Sequence, residues 1–195
     1  MDAAMDLICA NSYGCTSVDA ICEKARAKKG SFYYFFESKS ELAVKALEAD
    51  WLGRRPWFDE IFSAAVPPLV RIRGFFDHTY KAQIKRHKQG AAVLGCPYFT
   101  LGCEISTQDR AICAEVRKIL QRHERYFESA IRDAHAEGSV HAPDPKSRAK
   151  MLLSFFQGSV TNARIQNDPA VLRGMAEGAM AILGTRLKAA RPAKR

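Results

Sequence analysis

Signals for β-strands are scarce in this chain: runs of β-branched residues are few, and most long segments space their apolar residues three and four apart, the period of a helix. The fold class this predicts is all-α. No apolar run approaches the roughly 20 residues that span a bilayer, and no basic segment leads into a cleavable apolar stretch. The expectation is a cytoplasmic protein with no membrane partner. Six cysteines form no C-x-x-C pair, and a chain of 195 residues needs no disulfide staple, which predicts reduced thiols. The five histidines make no H-E-x-x-H or other ligand spacing, so neither a metal nor a cofactor is expected. Paired catalytic carboxylates, a nucleophile elbow and a phosphate-cradling glycine loop are all missing, which argues against an enzyme. There is no internal repeat and no low-complexity segment.

What is present is an apolar content of 47%, ample for a core, and a net charge of +9 with a pI near 9.4. The charge is unevenly placed. Residues 1 to 50 carry six Lys/Arg against eight Asp/Glu, so the surplus lies further along and does not itself argue for nucleic acid. Only the local cluster Lys24, Arg26, Lys28 and Lys29 does so, at the head of KARAKKGSFYYFFESKSEL, residues 24 to 42.

Helix boundaries can be read from capping residues. Residues 2 to 11 form a first helix, and Thr16 starts a T-x-x-D cap for a second over about 17 to 24. A third runs 28 to 35. Ser38-Lys39-Ser40-Glu41 is a capping box that opens a long helix, which Pro56 bends or ends. Pro67-Pro68 opens a helix to about Lys88, Pro97 a short one, and Ser106 or Thr107 caps a long one to about Glu137. Asp144-Pro145 and Asp168-Pro169 each place an N-cap before a first-turn proline, giving helices at about 146 to 166 and 170 to 189. Residues 190 to 195 are a basic tail, read as a solvated helix end.

Two short helices around the turn Ala25-Arg26-Ala27 have the size of a helix-turn-helix, whose second helix reads the major groove. Lys28, Lys29 and Gly30 then sit where a helix start favours phosphate, and Gly30 lets backbone approach closely. Ser31 and Tyr33 reach toward base edges, while Phe32 and Phe36 pack inward. From charge and spacing alone, a solvated cationic helix end with core aromatics is the more ordinary reading.

The stretch from Thr16 to Leu42, and above all the core KGSFYYFFESK at 29 to 39, resembles the N-terminal DNA-binding domain of the tetracycline-repressor (TetR) family over about residues 3 to 50. The resemblance implies about nine helices: a DNA-binding domain at 1 to 48 and a ligand-binding and dimerisation domain at 49 to 195. It also implies a homodimer, a double-stranded DNA operator and a small-molecule effector. By the same resemblance Lys29, Tyr33 and Lys39 hold phosphates or frame the groove. Thr16 or Ser17 contacts the DNA backbone, Lys28, Gly30 and Ser31 occupy base-reading positions, and Tyr34 joins this set. The chain departs from the family pattern at four places. Arg26 and Ser12 stand where glycine is usual, each with a positive φ implied. Phe35 replaces a phosphate-contacting His or Tyr, and Met1 falls inside helix 1, without the basic arm that often precedes it.

In the second domain Trp57, Phe75, Tyr80, Phe99 and Phe127 are the candidate effector contacts, with most other aromatics core. An aromatic pocket suits a hydrophobic or planar effector, and interior cations such as Arg73 or His78 suit an anionic one. Residues 95 to 106 resemble a family subgroup in which Gly-Cys opens the sixth helix and some members sense electrophiles or oxidants. Cys96 at that helix start is either such a thiolate, with its pKa lowered by the dipole, or a small buried hydrophobe. Leu152, Phe155, Phe156, Ser159 and Ala163, then Met175, Ala179 and Ile182, form stripes that spacing alone leaves as core or interface. Family position makes them the dimer face. The resulting expectation is a dimeric, effector-released repressor reading a pseudo-palindrome. The alternative is a helical ligand-binding or interaction dimer that has lost specific DNA binding.

Overall fold

Side-chain caps set four of the nine α-helix starts in the computed structural model, which describes residues 1–105 and 107–185. The described residues form nine α-helices and no strand: α1 Asp2–Ala10, α2 Val18–Lys24, α3 Lys29–Phe35, α4 Lys39–Ile61, α5 Pro68–Lys88, α6 Pro97–Ile105, α7 Arg110–Ala136, α8 Pro145–Gln166 and α9 Met175–Ile182. Ser17 caps α2, Ser38 caps α4 and Asp144 caps α8, each through its side-chain oxygen. At Ser38 the reciprocal bond of the capping box is displaced by one residue, since Glu41 accepts from the Glu37 amide at 2.7 Å rather than from that of Ser38.

Four boundaries differ from the sequence reading. Thr16 does not cap α2, because its hydroxyl donates to the Ser12 carbonyl at 2.6 Å and the side chain is buried. Asp109 caps α7 in place of Thr107, since its carboxylate accepts two amides at once, from Ala111 and Ile112. The other candidate, Ser106, lies outside the described residues. The last helix is split: Pro169–Leu172 is a 3-10 turn, Gly174 at φ +80° breaks the run, and α9 starts only at Met175. The remainder of the 170 to 189 helix beyond residue 185 and the basic tail lie outside the described residues. Pro56 neither ends nor interrupts α4, because it sits on the exposed turn 52–56, where the Leu52 carbonyl it frees is open to water.

Two apolar clusters result. A small one joins Ala4, Ile21, Cys22, Phe32 and Leu42, with Phe36 half-buried against it, and holds α1 to α3 on the start of α4. The large one fills the space between α4, α5, α7, α8 and α9 around Phe58, Phe62, Phe75, Phe76 and Phe127. The clusters are interleaved, since Met5 and Ile8 of α1 and Ala43, Ala46 and Leu47 of α4 belong to the large one. Anything that moves α4 therefore moves the three-helix head.

Candidate functional site

The head carries the first candidate surface. Helix α2 ends in a Schellman motif: the Ala27 amide reaches the Cys22 carbonyl and the Arg26 amide that of Glu23, with Arg26 in the left-handed region at φ +52°. The turn keeps a glycine-type geometry that arginine adopts at a cost of about 1–2 kcal/mol. Ser12 shows no positive φ, because α1 leaves through Asn11 in a right-handed conformation. Packing of Phe32 inward turns the rest of α3 out, leaving Tyr33, Tyr34 and Phe35 at 57%, 82% and 64% exposure. Three exposed aromatics on a seven-residue helix mark a contact surface rather than a core element.

The cations near them differ in availability. Lys28 is exposed at the start of α3, where no side chain caps the helix, and Lys29 is paired with Asp19 at 2.7 Å. That pair is exposed and screened by water, so a phosphate can take Lys29 from it. Lys39 points inward: its ammonium donates to the Tyr13 and Thr16 carbonyls at 3.0 and 3.1 Å and lies over the Tyr13 ring. Its visible work is to tie the α1–α2 connection to α4. Thr16, buried and bonded to Ser12, presents no side chain to DNA, whereas Ser17 is exposed at the N-cap.

Gly30 faces open space, with nothing within 4 Å of a Cβ placed there. Gly30→Ala is therefore expected to raise stability by about 0.5–1 kcal/mol through helix propensity while weakening DNA binding at that backbone approach. Urea denaturation and a gel shift on the same preparation check both signs. A variant unchanged on DNA would remove Gly30 from the interface.

The second candidate site is a cavity of about 420 Å³ between α4, α5, α6, α7 and α8. Trp57, Phe58, Phe75 and Phe156 supply its rings, and Arg54, His78, Gln83, Arg86, Tyr98 and His123 its polar atoms. Of the six residues read from sequence as effector contacts, Trp57, Phe75 and Cys96 line it. Tyr80, Phe99 and Phe127 do not: Tyr80 and Phe99 are half-buried on the main core, and Phe127 is fully enclosed among Phe62, Phe75 and Phe76. Arg73 is engaged elsewhere with Glu177 at 2.8 Å.

Cys96 is buried, and its sulfur receives the Tyr98 and Phe99 amides and the Gln157 amide nitrogen, so it caps α6. Burial outweighs these donors and pushes the thiol up, the opposite of the direction expected from the helix dipole. Cys9, also in the wall, is pushed up to about 11 by burial first. For both thiols burial disfavours the thiolate, so neither gains activation from its surroundings.

Sequence reasoning missed Cys9, Arg54, Arg86, Tyr98 and His123. One signal was available, because His123 stands in the apolar stripe Val116, Ile119, Phe127, Ala130 of α7. It stacks on Phe58 at 4.7 Å, and burial, then the Arg54 charge, push it down to about 3 against the opposing pull of Asp50. The folded imidazole thus resists a proton that the unfolded chain takes up below about pH 6.5. Stability from this group is level above that pH and falls as pH drops toward 3, by up to about 1.4 kcal/mol per unit. Urea midpoints at pH 7 and 4.5 should show a shallower loss in His123→Phe than in the wild type, and equal losses would refute this origin.

The cavity and the head share parts. Cys9 belongs to α1 yet lines the cavity, and its carbonyl accepts from Arg164 of α8 at 3.0 Å. Glu104 of α6 accepts the Tyr13 and Gly14 amides at 2.9 and 2.7 Å, holding the α1–α2 connection. Tyr98 of α6 donates to Asp50 of α4 at 2.5 Å, and Arg54 bonds the same carboxylate at 2.7 Å.

The buried stripe of α8 is monomer core. Leu152, Phe156 and Ala163 are buried in the interior, as are Met175 and Ala179 of α9, so these five cannot form a dimer face. Phe155, Ser159 and Ile182 remain half-exposed. The open stripe of α8 is Met151, Phe155, Gly158, Asn162 and Ile165, with Met151 at 49% and Ile165 at 77% exposure.

Known proteins resemble the chain in both parts. The family model described as bacterial regulatory proteins, tetR family, matches residues 1–46, and that described as tetracyclin repressor-like, C-terminal domain, matches residues 68–179. Transcriptional regulator AcuR of Cereibacter sphaeroides is 26% identical over 169 residues, 86% of this chain and 75% of AcuR. The crystal structure of regulatory protein TetR from Rhodobacter sphaeroides superposes with a TM-score of 0.82 at 23% identity, covering 93% of this chain and 95% of that one. Reduced Escherichia coli NemR gives 0.81 at 20%, covering 95% and 96%. With a helix-turn-helix head ahead of a matched helical body, the chain belongs to the TetR family of DNA-binding transcriptional regulators.

Proposed function

We propose that the protein is a homodimeric repressor whose two α3 helices read a pseudo-palindromic operator and which an effector in the α4–α8 cavity releases. The observation that carries this reading is the shared wall: α1 contributes Cys9 to the cavity, and α6 both lines the cavity and grips the head through Glu104. An effector that binds better when α6 and α4 are displaced shifts the heads, whereas one that binds both arrangements equally shifts nothing. Lys28, Lys29, Gly30, Ser31, Tyr33 and Tyr34 form the DNA surface, with Ser17 at the start of α2, and Lys39 acts by holding the head together.

The open stripe of α8 supports the dimer. Met151, Phe155, Gly158, Asn162 and Ile165 recur at four and three residues, the spacing of a helix–helix seam, and Phe155 already meets α9 at Gly178. A two-fold regulator reads half-sites about 34 Å apart, and this face is the one we assign to the pairing that such a regulator needs. The reading is tested by gel shift of the chain on an operator obtained by selection, with Glu104→Gln as the probe of coupling. The variant should keep its fold and lose head positioning, so operator affinity should fall with little change in thermal stability. Unchanged affinity would mean that α6 does not position the head.

A further inference from the structure

The cavity's chemistry is more specific than its volume. No carboxylate is among its lining residues, whereas Arg54 and Arg86 are. Arg54 is partly neutralised by Asp50 at 2.7 Å, but Arg86, near the end of α5, has no acidic partner among the described residues. The field inside therefore favours an anion and disfavours a cation. His123 is 5% exposed, and among the described residues no group reaches either ring nitrogen. Gln83 donates to the Leu94 carbonyl at 2.7 Å, and its own side-chain oxygen is buried without a partner. Enclosed polar atoms of this kind require hydrogen-bonding partners. A purely hydrocarbon ligand would seal them off. Trp57, Phe58, Phe75 and Phe156 meanwhile offer faces suited to a flat body, and about 420 Å³ lies toward the small end of ligand pockets.

We propose that the cavity takes a small organic carboxylate on a planar apolar body that carries a second hydrogen-bonding group. Arg86, with Arg54 beside it, meets the carboxylate. The rings take the body, and His123 bonds the second polar group. Neutral imidazole has one N–H and one lone pair, so a hydroxyl, which both donates and accepts, satisfies it on either tautomer. The inference rests on the cavity being the effector site of the proposed repressor.

The test uses the full chain with benzoate, 4-hydroxybenzoate and trans-cinnamate, each against its primary amide, in tryptophan-fluorescence titrations and in thermal shifts. At least one acid should bind about tenfold or more tighter than its amide, as expected for a charge-assisted contact. Arg86→Gln, an exposed position whose change leaves the core intact, should reduce that preference to about threefold or less. His123→Phe should abolish the advantage of 4-hydroxybenzoate over benzoate and keep the charge preference. The proposal is overturned by a panel with no acid preferred over its amide, or by a preference that survives Arg86→Gln. Operator selection on the same preparation separates the two claims: a recovered motif without acid preference removes this inference alone, and acid preference without a motif upholds the cavity assignment while removing the repressor reading.

Discussion

Phe127→Ala should cost about 3–5 kcal/mol of folding stability, the range for an aromatic deleted from a closed core. Phe127 has no exposed surface, and its ring lies 5.2 Å from Phe62, 5.0 Å from Phe75 and 6.0 Å from Phe76. These partners come from the C-cap of α4 and from α5, so the truncation empties the junction that holds α7 against both. They are rings anchored on separate helices, and collapse into the space is correspondingly limited. Urea denaturation should show a lower midpoint with little change in slope, and effector affinity measured under conditions that keep the protein folded should change little, because Phe127 does not line the cavity. A loss below about 1 kcal/mol would mean the core there is plastic. A selective loss of effector binding would restore Phe127 to the ligand contacts.

The double variant Met151→Glu, Ile165→Glu should produce a folded monomer and lower operator affinity by about 10²–10⁴, the range over which linked binding events outperform single ones. Both side chains are exposed, at 49% and 77%, so the change touches no buried contact and leaves monomer stability within about 0.5 kcal/mol. Placed on one seam and repeated by two-fold symmetry, four carboxylates would face one another across an apolar interface, and their desolvation disfavours pairing. Sedimentation gives the oligomeric state and a gel shift the affinity. A dimer that persists would place the interface elsewhere.

The DNA head was legible because its local signals agree. The Ser38 capping box, the inward Phe32 and the positive φ of Arg26 are each visible in a few residues and required by the turn they make. Caps were less certain where several candidates lie together: Asp109 prevails over Thr107 because its carboxylate accepts two amides, a comparison that only the backbone geometry decides. Gly174 was a visible interruption inside the expected last helix, and its φ of +80° explains the split. The body was less legible for a different reason. Helix α8 carries two apolar stripes, one through Leu152, Phe156 and Ala163 and one through Met151, Phe155 and Ile165. Periodicity cannot say which of them meets α7. The cavity wall draws on five helices, so Arg86 and His123 converge through contacts remote in sequence. Cys96 shows the limit of arguing from one term, since its position at a helix start favours thiolate and its burial, unseen in sequence, reverses the direction.

The most direct measurement is selection of bound sequences from random duplex DNA with the full-length protein at about 150 mM salt, where non-specific phosphate binding is weakened. A palindromic motif with half-sites one helical turn apart is the expected result, and it should vanish with the Met151/Ile165 double variant. Salt-sensitive binding with no motif would contradict the account at its centre, because the exposed surface of α3 would then not be reading sequence.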